Sequence, residues 1–212
     1  MGVLDYFELD TLLFRAIAFV LLITLHDCLL AWAAKRLGDP AAAEQGRVSF
    51  NPGRHLDPLG TLMVLFGPYG WSRPMAIRQP VESQSGKLVR AAAVYAAGPL
   101  IYALIAVLSS WWFLSLPDMG GGSLTLLWTG ILQYISITAT LLAIMNLIPL
   151  YPMDAWRLVR SAVSGETGVK LAAKEKWLLI FWVALLTLPF GRNMIEAVYR
   201  IAHSWITSVL PL

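Results

Sequence analysis

The first long apolar stretch of the chain, residues 11–37, constrains the fold most, because its second half carries two ionisable residues. An apolar run of this length is typical of a helix that crosses a membrane. His26 and Asp27 lie within it, in the sequence L-I-T-L-H-D-C-L-L-A-W. Ionisable side chains inside a span cost free energy and commonly mark a functional site. The stretch therefore predicts a membrane helix with a polar site inside it.

The sequence H-D-C-L-L departs from the H-E-x-x-H pattern, in which two His on one helix face hold zinc and the Glu acts on a metal-bound water. His26 matches the first His, whereas Asp27 stands in place of the Glu and Leu30 in place of the second His. A leucine side chain cannot coordinate a metal ion. The pattern predicts a site that keeps an imidazole and a carboxylate but lacks one ligand.

Composition favours a single integral membrane domain over residues 1–212. Of these residues 58% are hydrophobic and 14% charged, which is too apolar for an ordinary soluble domain. The single cysteine, Cys28, excludes an intramolecular disulfide and any C-x-x-C motif. The net charge of +3 comes without a nucleic-acid-binding motif, so no nucleic-acid partner is expected.

The distribution of charge predicts the topology. Residues 1–10 carry acids and no Lys or Arg, whereas residues 35–90 carry eight Lys or Arg against four acids. The positive-inside tendency then places the loop 38–87 in the cytoplasm and the N-terminus outside. Within this loop the apolar run 59–66 is interrupted by G-P-Y-G and is too short to cross, which predicts a re-entrant hairpin.

Two more spans are predicted at residues 88–116 and 124–150, joined by a Gly-rich turn at 117–123. Pro149 and Pro152 break the third span at its cytoplasmic end. C-terminal helices are expected over 177–210, as a short apolar span followed by an interfacial or kinked helix with Arg192, Glu196 and Arg200 in one stripe. The fold class is therefore an all-α integral membrane protein with a three-span core.

Several motifs, in this order and spacing, resemble the site-2 protease family of intramembrane zinc metalloproteases, in its small bacterial branch. The resemblance runs from about residue 21 to residue 163. It consists of H-D-C-L-L-A-W at 26–32, L-G-D-P at 37–40, G-R-V-S-F-N-P at 46–52, H-L-D-P-L-G-T at 55–61, G-W-S-R-P at 70–74, A-A-G-P at 96–99 and N-L-I-P-L-Y-P-M-D at 146–154.

The resemblance implies a zinc held by two His of the first motif and by the Asp of the last, with the motif Glu as general base. His26 and Asp154 match two of these ligands, and Asp27 occupies the base position with a side chain one methylene shorter. Four departures converge on this site. They are Asp27 for Glu, Leu30 for the second His, Tyr102 for an Asn after A-A-G-P, and Ala155 for the Gly after the final Asp.

Each candidate also has a purely structural interpretation. His26 can be a hydrogen-bonded group of the core, Asp154 can cap the following helix, and the two can pair with each other. Asn146 is either a partner of the broken helix backbone or, with Tyr102 and Trp71, part of a surface that binds a substrate or partner. Trp71, with Trp111 and Trp112, also fits a position at the membrane interface.

Two ligands hold zinc far more weakly than three, and without zinc no activated water forms near neutral pH. The prediction is therefore a pseudoprotease of the bacterial inner membrane that acts as a binding protein or accessory subunit of a larger membrane complex, with no cofactor. Its expected partners are other integral membrane proteins and membrane lipids. The alternative is an active zinc metalloprotease with an unorthodox ligand set, and a third class is a small-molecule site in the old zinc cavity.

Overall fold

Three long apolar helices form the centre of the fold. The computed structural model of the protein describes residues 9–75, 84–116, 122–163 and 165–210, so the acidic residues before position 9 and most of the turn predicted at 117–123 lie outside the described residues. The helices, in chain order, are α1 Leu9–Arg36, α2 Ala41–Glu44, α3 Pro58–Leu62, α4 Gln84–Ser115, α5 Ser123–Leu147, α6 Asp154–Ala162, α7 Gly165–Thr187 and α8 Pro189–Val209. The prediction of an all-α membrane protein is confirmed, because α1, α4 and α5 are each long and apolar enough to cross a membrane.

The three spans pack around one apolar cluster. Helix α4 runs along α5, and α1 lies against both. Phe19 and Ile23 from α1 meet Tyr102 from α4 and Leu142 from α5 in this cluster, and all four are buried. Close contact of side chains holds helices together where surrounding lipid is as apolar as the helices themselves. This packing fixes the position of the residues one to two turns further along α1, among which His26 and Asp27 lie.

The segment between α1 and α4 folds as a hairpin where the sequence predicted a re-entrant element, and its position relative to the membrane stays a prediction. Helix α3 and the 3₁₀ turn Met63–Leu65 form its first arm. Val64 in this arm belongs to the same apolar cluster as Phe19. Phe19 precedes His26 by two helical turns, or roughly 10 Å along α1. Ser72, in the returning arm, lines the cavity beside His26 and pairs with Leu56 in an isolated antiparallel bridge.

Two helix ends near the site follow from local chain chemistry. Helix α1 ends at Arg36 because Gly38 takes a left-handed φ of +89°, and Asp39 N–H reaches back to the carbonyl of Ala34 at 2.9 Å. Helix α5 ends at Leu147, three residues before the predicted end, since Pro149 cannot continue a helix.

The C-terminal part differs most from the sequence prediction. Helix α7 begins at Gly165 and not at residue 177. Its first turns are polar, so the apolar pattern does not include them, and a Glu166–Lys170 ion pair at 2.7 Å joins two successive turns there. Pro189 then starts α8, and the two helices are bent by 77°. Together they form the C-terminal elbow, which is either one broken span or a re-entrant pair by length and composition.

Candidate functional site

The structure brings together the two residues that match zinc ligands in the sequence. His26 lies on α1, Asp154 is the first residue of α6, and the two are 128 positions apart. His26 Nε2 and Asp154 Oδ2 are 2.9 Å apart, with the side chains 2% and 1% exposed. A direct hydrogen bond at this distance satisfies both buried groups. The possible pairing of His26 with Asp154 is thus the arrangement that the structure shows.

Asp27 lies at the opposite edge of the same imidazole ring. Its Oδ1 is 3.0 Å from His26 Nδ1, and its Oδ2 accepts a hydrogen bond from Arg47 Nη2 at 2.9 Å. His55, which is fully buried, places Nδ1 3.6 Å from the same Oδ2. Since Asp154 is on the Nε2 side, Asp27 does not face the position that a metal shared by His26 and Asp154 would take.

Two arginines balance the two carboxylates. Arg157 Nη1 donates to Asp154 Oδ1 at 3.1 Å, one helical turn along α6, while Arg47 pairs with Asp27 and also donates to the carbonyls of Arg54 and Arg73. Burial works to lower the pKa of Arg157, but the Asp154 and Asp27 carboxylates outweigh it and raise that pKa above its ordinary value. The cluster therefore carries two fixed positive charges against two carboxylates before any cation is added.

Asn146 braces the end of α5 against the start of α6. Its Nδ2 donates to the Leu142 carbonyl at 2.8 Å, and its Oδ1 accepts from the Asp154 backbone N–H at 3.1 Å. Asn146 thus contacts backbone groups on both sides of the break between α5 and α6, as one of its two sequence interpretations predicts. Asp154 does not cap α6, because Met153 occupies the N-cap position and the Asp154 carboxylate turns to His26 and Arg157.

Tyr102 and Gly98 close the site from α4. The Tyr102 ring stacks on the His26 imidazole, with centroids 4.3 Å apart and an angle of 9° between the planes. A Cβ at Gly98 would collide with the Asp154 carboxylate and lie 2.7 Å from His26 Nε2, so only glycine lets α4 approach this closely. The remaining cavity, beside His26, Tyr102 and Arg157, measures about 10 Å³ and has room for about one water molecule. It is too small for an organic cofactor.

Trp71 lies inside the protein, so its predicted place at the membrane interface is wrong. It is 4% exposed, and its Nε1 donates to Asp57 Oδ1 at 3.1 Å. The same Asp57 carboxylate caps α3 by accepting from Gly60 N–H. Trp71 also lines the cavity beside His26, and its role in binding a substrate or partner stays a prediction. Trp111 and Trp112 are about half exposed near the end of α4, and their place at the membrane interface stays a prediction.

The described residues do not supply a three-ligand zinc site around His26. Leu30, at the position of the second His, is fully buried in an apolar cluster with Ala34, Val94 and Tyr95. Neighbouring donors of a tetrahedral zinc lie about 3.3 Å apart, because each is about 2.0 Å from the metal, whereas His26 Nε2 and Asp154 Oδ2 are at hydrogen-bond distance. Across residues 9–75, 84–116, 122–163 and 165–210, no three His, Cys, Asp or Glu side chains are grouped to hold a metal ion. The residues present do not fit the zinc site of H-E-x-x-H enzymes.

Sequence reasoning missed four residues of this cluster, namely Arg47, His55, Gly98 and Arg157. Three of them lie within the quoted motifs and Arg157 lies just after the last one, so their positions in or beside these motifs could have indicated them. His203 lies away from the site on α8, where its ring stacks on Tyr199.

Three helices that are long and apolar enough to cross a membrane, with a buried His–Asp pair joining α1 to α6, define a multi-pass membrane protein. The chain belongs to the site-2-protease-like family of zinc metalloproteases. A Bacillus subtilis (strain 168) protein named "Putative zinc metalloprotease YwhC" is 31% identical over 191 residues, which cover 88% of this chain and 85% of the relative. No protein-family model matches the sequence, and no solved structure matches the chain.

Proposed function

We propose that this protein binds another integral membrane protein, as an accessory or structural subunit of a larger membrane complex, and does not hydrolyse peptide bonds. Leu30 carries the proposal. It occupies the position where H-E-x-x-H proteins have their second metal-binding His, and its buried apolar surroundings offer no replacement ligand.

The electrostatics of the cluster support the same conclusion. His26 is hydrogen-bonded at both ring nitrogens, and the two carboxylates that it contacts already face Arg47 and Arg157. A divalent cation would have to displace these bonds and enter a buried site that already holds two guanidinium groups. Asp27, at the base position, lies on the Nδ1 edge of the imidazole, and the carboxylate on the Nε2 side, that of Asp154, is already paired with Arg157.

The scaffold itself remains suited to binding. The outward surfaces of the spans are apolar, as at Leu100 and Leu104 on α4, and the elbow adds further exposed apolar side chains such as Val198 on α8. Helix association in a bilayer depends on close side-chain contact and needs none of the hydrolytic groups. A membrane helix of another protein is therefore the expected class of partner.

The second candidate function is an intramembrane zinc metalloprotease with an unorthodox ligand set. The name of the Bacillus subtilis relative favours it, as does the retention of His26 next to Asp154. It requires zinc to break the existing hydrogen bonds and recruit a third ligand, so metal content separates the two candidates.

The deciding measurement is the zinc content of the purified protein. We expect well under one zinc per chain for the unmodified protein and a clear rise for Leu30→His, because positions 26 and 30 share one helix face. Leu21→His is the matched control, since Leu21 is exposed and, five residues before His26, lies on another face of α1. One zinc per chain in the unmodified protein, lost in His26→Ala, would establish the protease candidate.

Partner binding is tested by purifying the protein in mild detergent and measuring how much of the co-purifying chains is recovered. Val198→Arg should lower that recovery at matched expression, since it places a charge on an exposed apolar position of α8. Asn193→Arg, at an exposed polar position of the same helix, is the control and should leave recovery unchanged. Equal recovery for both variants would argue against assembly through this surface.

A further inference from the structure

Phe50 is an aromatic side chain that the fold leaves uncovered. It lies in the segment between α2 and α3 and is 72% exposed, and Val48 in the same segment is 39% exposed. Isolated exposed apolar side chains are common, so exposure alone assigns no role to Phe50. Three further features distinguish Phe50, namely the rigidity of its loop, the depth of that loop along α1 and the charges around it.

The loop that carries Phe50, residues 48–54, is called the tip loop here, and hydrogen bonds hold it in one shape. The Ser49 hydroxyl accepts from Asn51 N–H at 3.1 Å, and Asn51 Oδ1 accepts from Gly53 N–H at 3.0 Å. The Ser49 carbonyl accepts a further hydrogen bond from the buried His55 ring, at 2.7 Å. A loop that is already ordered loses little conformational entropy when its exposed side chains make a new contact.

The tip loop is tied to the buried part of α1. His55 places Nδ1 3.6 Å from Asp27 Oδ2, so a single imidazole ring separates the Ser49 carbonyl from the Asp27 carboxylate. Asp27 lies roughly 13 Å before the end of α1 at Arg36, measured along the helix axis. Ser49, which precedes Phe50, therefore lies beside the last turns of α1.

The last turns of α1 carry an aromatic and basic pair that is typical of a membrane interface. Trp32 is 48% exposed, and the Arg36 guanidinium lies 5.2 Å from the centre of its ring. Tryptophan is enriched at the headgroup level of a bilayer, and arginine side chains extend from there toward the phosphates. A side chain that is exposed beside these turns, as Phe50 is, faces the boundary between headgroups and acyl chains.

The charged side chains around the tip loop are mainly basic. Arg54 is exposed at its end, and the Arg54 guanidinium lies so close to Gly46 that a Cβ there would be 2.9 Å from Nη1. Lys35 and Arg36 are exposed at the end of α1, whereas Glu44 is the one exposed acid between residues 35 and 54. Basic side chains at a bilayer surface are attracted to anionic lipids. The charges therefore favour an anionic lipid surface as the neighbour of this loop.

We propose that the tip loop is a lipid-binding element, which inserts Phe50 and Val48 into the headgroup boundary of the bilayer while Arg54 binds the phosphate of an anionic phospholipid. The contact adds a lipid site to the membrane-crossing helices. It goes beyond the proposed partner-binding function and does not depend on it.

The test measures where the tip loop lies relative to lipid. Full-length protein with Cys28→Ser and Val48→Cys is labelled with the fluorophore NBD and placed in nanodiscs of phosphatidylcholine, with or without phosphatidylglycerol. A lipid that carries a nitroxide close to its headgroup should quench the probe, and iodide in the buffer should quench it little. We expect quenching by the nitroxide lipid to be about twofold stronger in the anionic nanodiscs. A probe on Thr167→Cys, in the exposed polar first turn of α7, is the control and should be quenched by iodide.

Variants separate the apolar contact from the charge contact. Phe50→Ser should lower quenching of the Val48 probe by the nitroxide lipid by about half or more, because little apolar surface remains to insert. Phe50→Trp keeps an aromatic ring and should preserve the quenching. Arg54→Gln should remove the difference between the two lipid compositions and leave quenching in phosphatidylcholine unchanged. If Phe50→Ser does not fold, the choice between nitroxide and iodide quenching in the chain with Phe50 decides alone.

Quenching of the Val48 probe by iodide and not by the nitroxide lipid would overturn the proposal, because the tip loop would then face water or a soluble protein. Equal nitroxide quenching in the two lipid compositions would overturn the assignment to an anionic phospholipid. Undiminished quenching in a folded Phe50→Ser variant would show that other residues make the contact and would also overturn the proposal. Zinc content and co-purifying chains are measured separately, so failure here is distinguishable from failure of the proposed function.

Discussion

A single imidazole joins both carboxylates of the site. His26 bonds Asp27 through one ring nitrogen and Asp154 through the other, and each carboxylate continues to an arginine. All of these groups except Arg157 are almost completely buried. Removing one member leaves another buried charge unpaired, which costs more than the pair itself contributes. The cluster therefore acts as one structural unit.

The first prediction concerns Asp154→Ala, which leaves Arg157 and His26 Nε2 without their partner. Loss of a buried ion pair costs about 3–5 kcal/mol, so we expect Tm in detergent to fall by roughly 10 °C. Glu166→Ala is the control, because its ion pair with Lys170 is largely exposed and is worth under about 1 kcal/mol. Similar Tm values for both variants would show that the cluster does not hold α6 in place.

The sequence predicted which residues belong to the site better than it predicted which of them contact each other. His26, Asp27 and Asp154 follow from motif positions, but the Arg47–Asp27 pair joins residues 20 positions apart through the path of a loop, which no local pattern encodes. The motif alone places Asp27 at the position of the general base. Its bond to Arg47 makes it a structural residue, so neutralising it leaves a buried guanidinium unpaired.

At the scale of the elements, close approach of α4 to α6 depends on one glycine. Gly98→Ala should force the Asp154 carboxylate and the His26 ring apart, since the new Cβ would overlap both. Overpacking of this kind costs about 1–3 kcal/mol, and we expect a matching fall in Tm of several degrees. In Gly122→Ala the nearest atom is Thr125 Oγ1 at 3.9 Å, so this control should unfold like the unmodified protein. An unchanged Tm for Gly98→Ala would mean that α4 can shift freely.

Apolar length predicted the three spans, because each is a continuous apolar run that is long enough to cross a membrane. The start of α7 was missed, since its first three turns are polar and are held by an ion pair instead of by apolar burial. The sequence also could not predict the angle between α7 and α8. Pro189 indicates a break, but the 77° bend depends on packing of Ile195 and Tyr199 against distant segments.

For the whole molecule, the basic loops predict which side of the membrane each segment faces. In a Cys28→Ser background, single cysteines at Arg54 and Lys170 should react with a membrane-impermeant thiol reagent only from the cytoplasm. A cysteine at Ser123, which is exposed at the start of α5, should react only from outside. Reaction of all three positions from the same side would contradict the three-span topology.

The separation of His26 and Asp154 along the chain has a consequence for biosynthesis. At about 5–20 residues per second, the ribosome adds Asp154 roughly 6 to 25 s after His26, given the 128 positions between them. Arg47 follows Asp27 by only 20 positions, so the acid in the first span can acquire its counter-charge while later spans are still being made. We therefore expect the nascent chain to hold His26 with Nδ1 bonded to Asp27 and with Nε2 still lacking its Asp154 partner until α6 has been made.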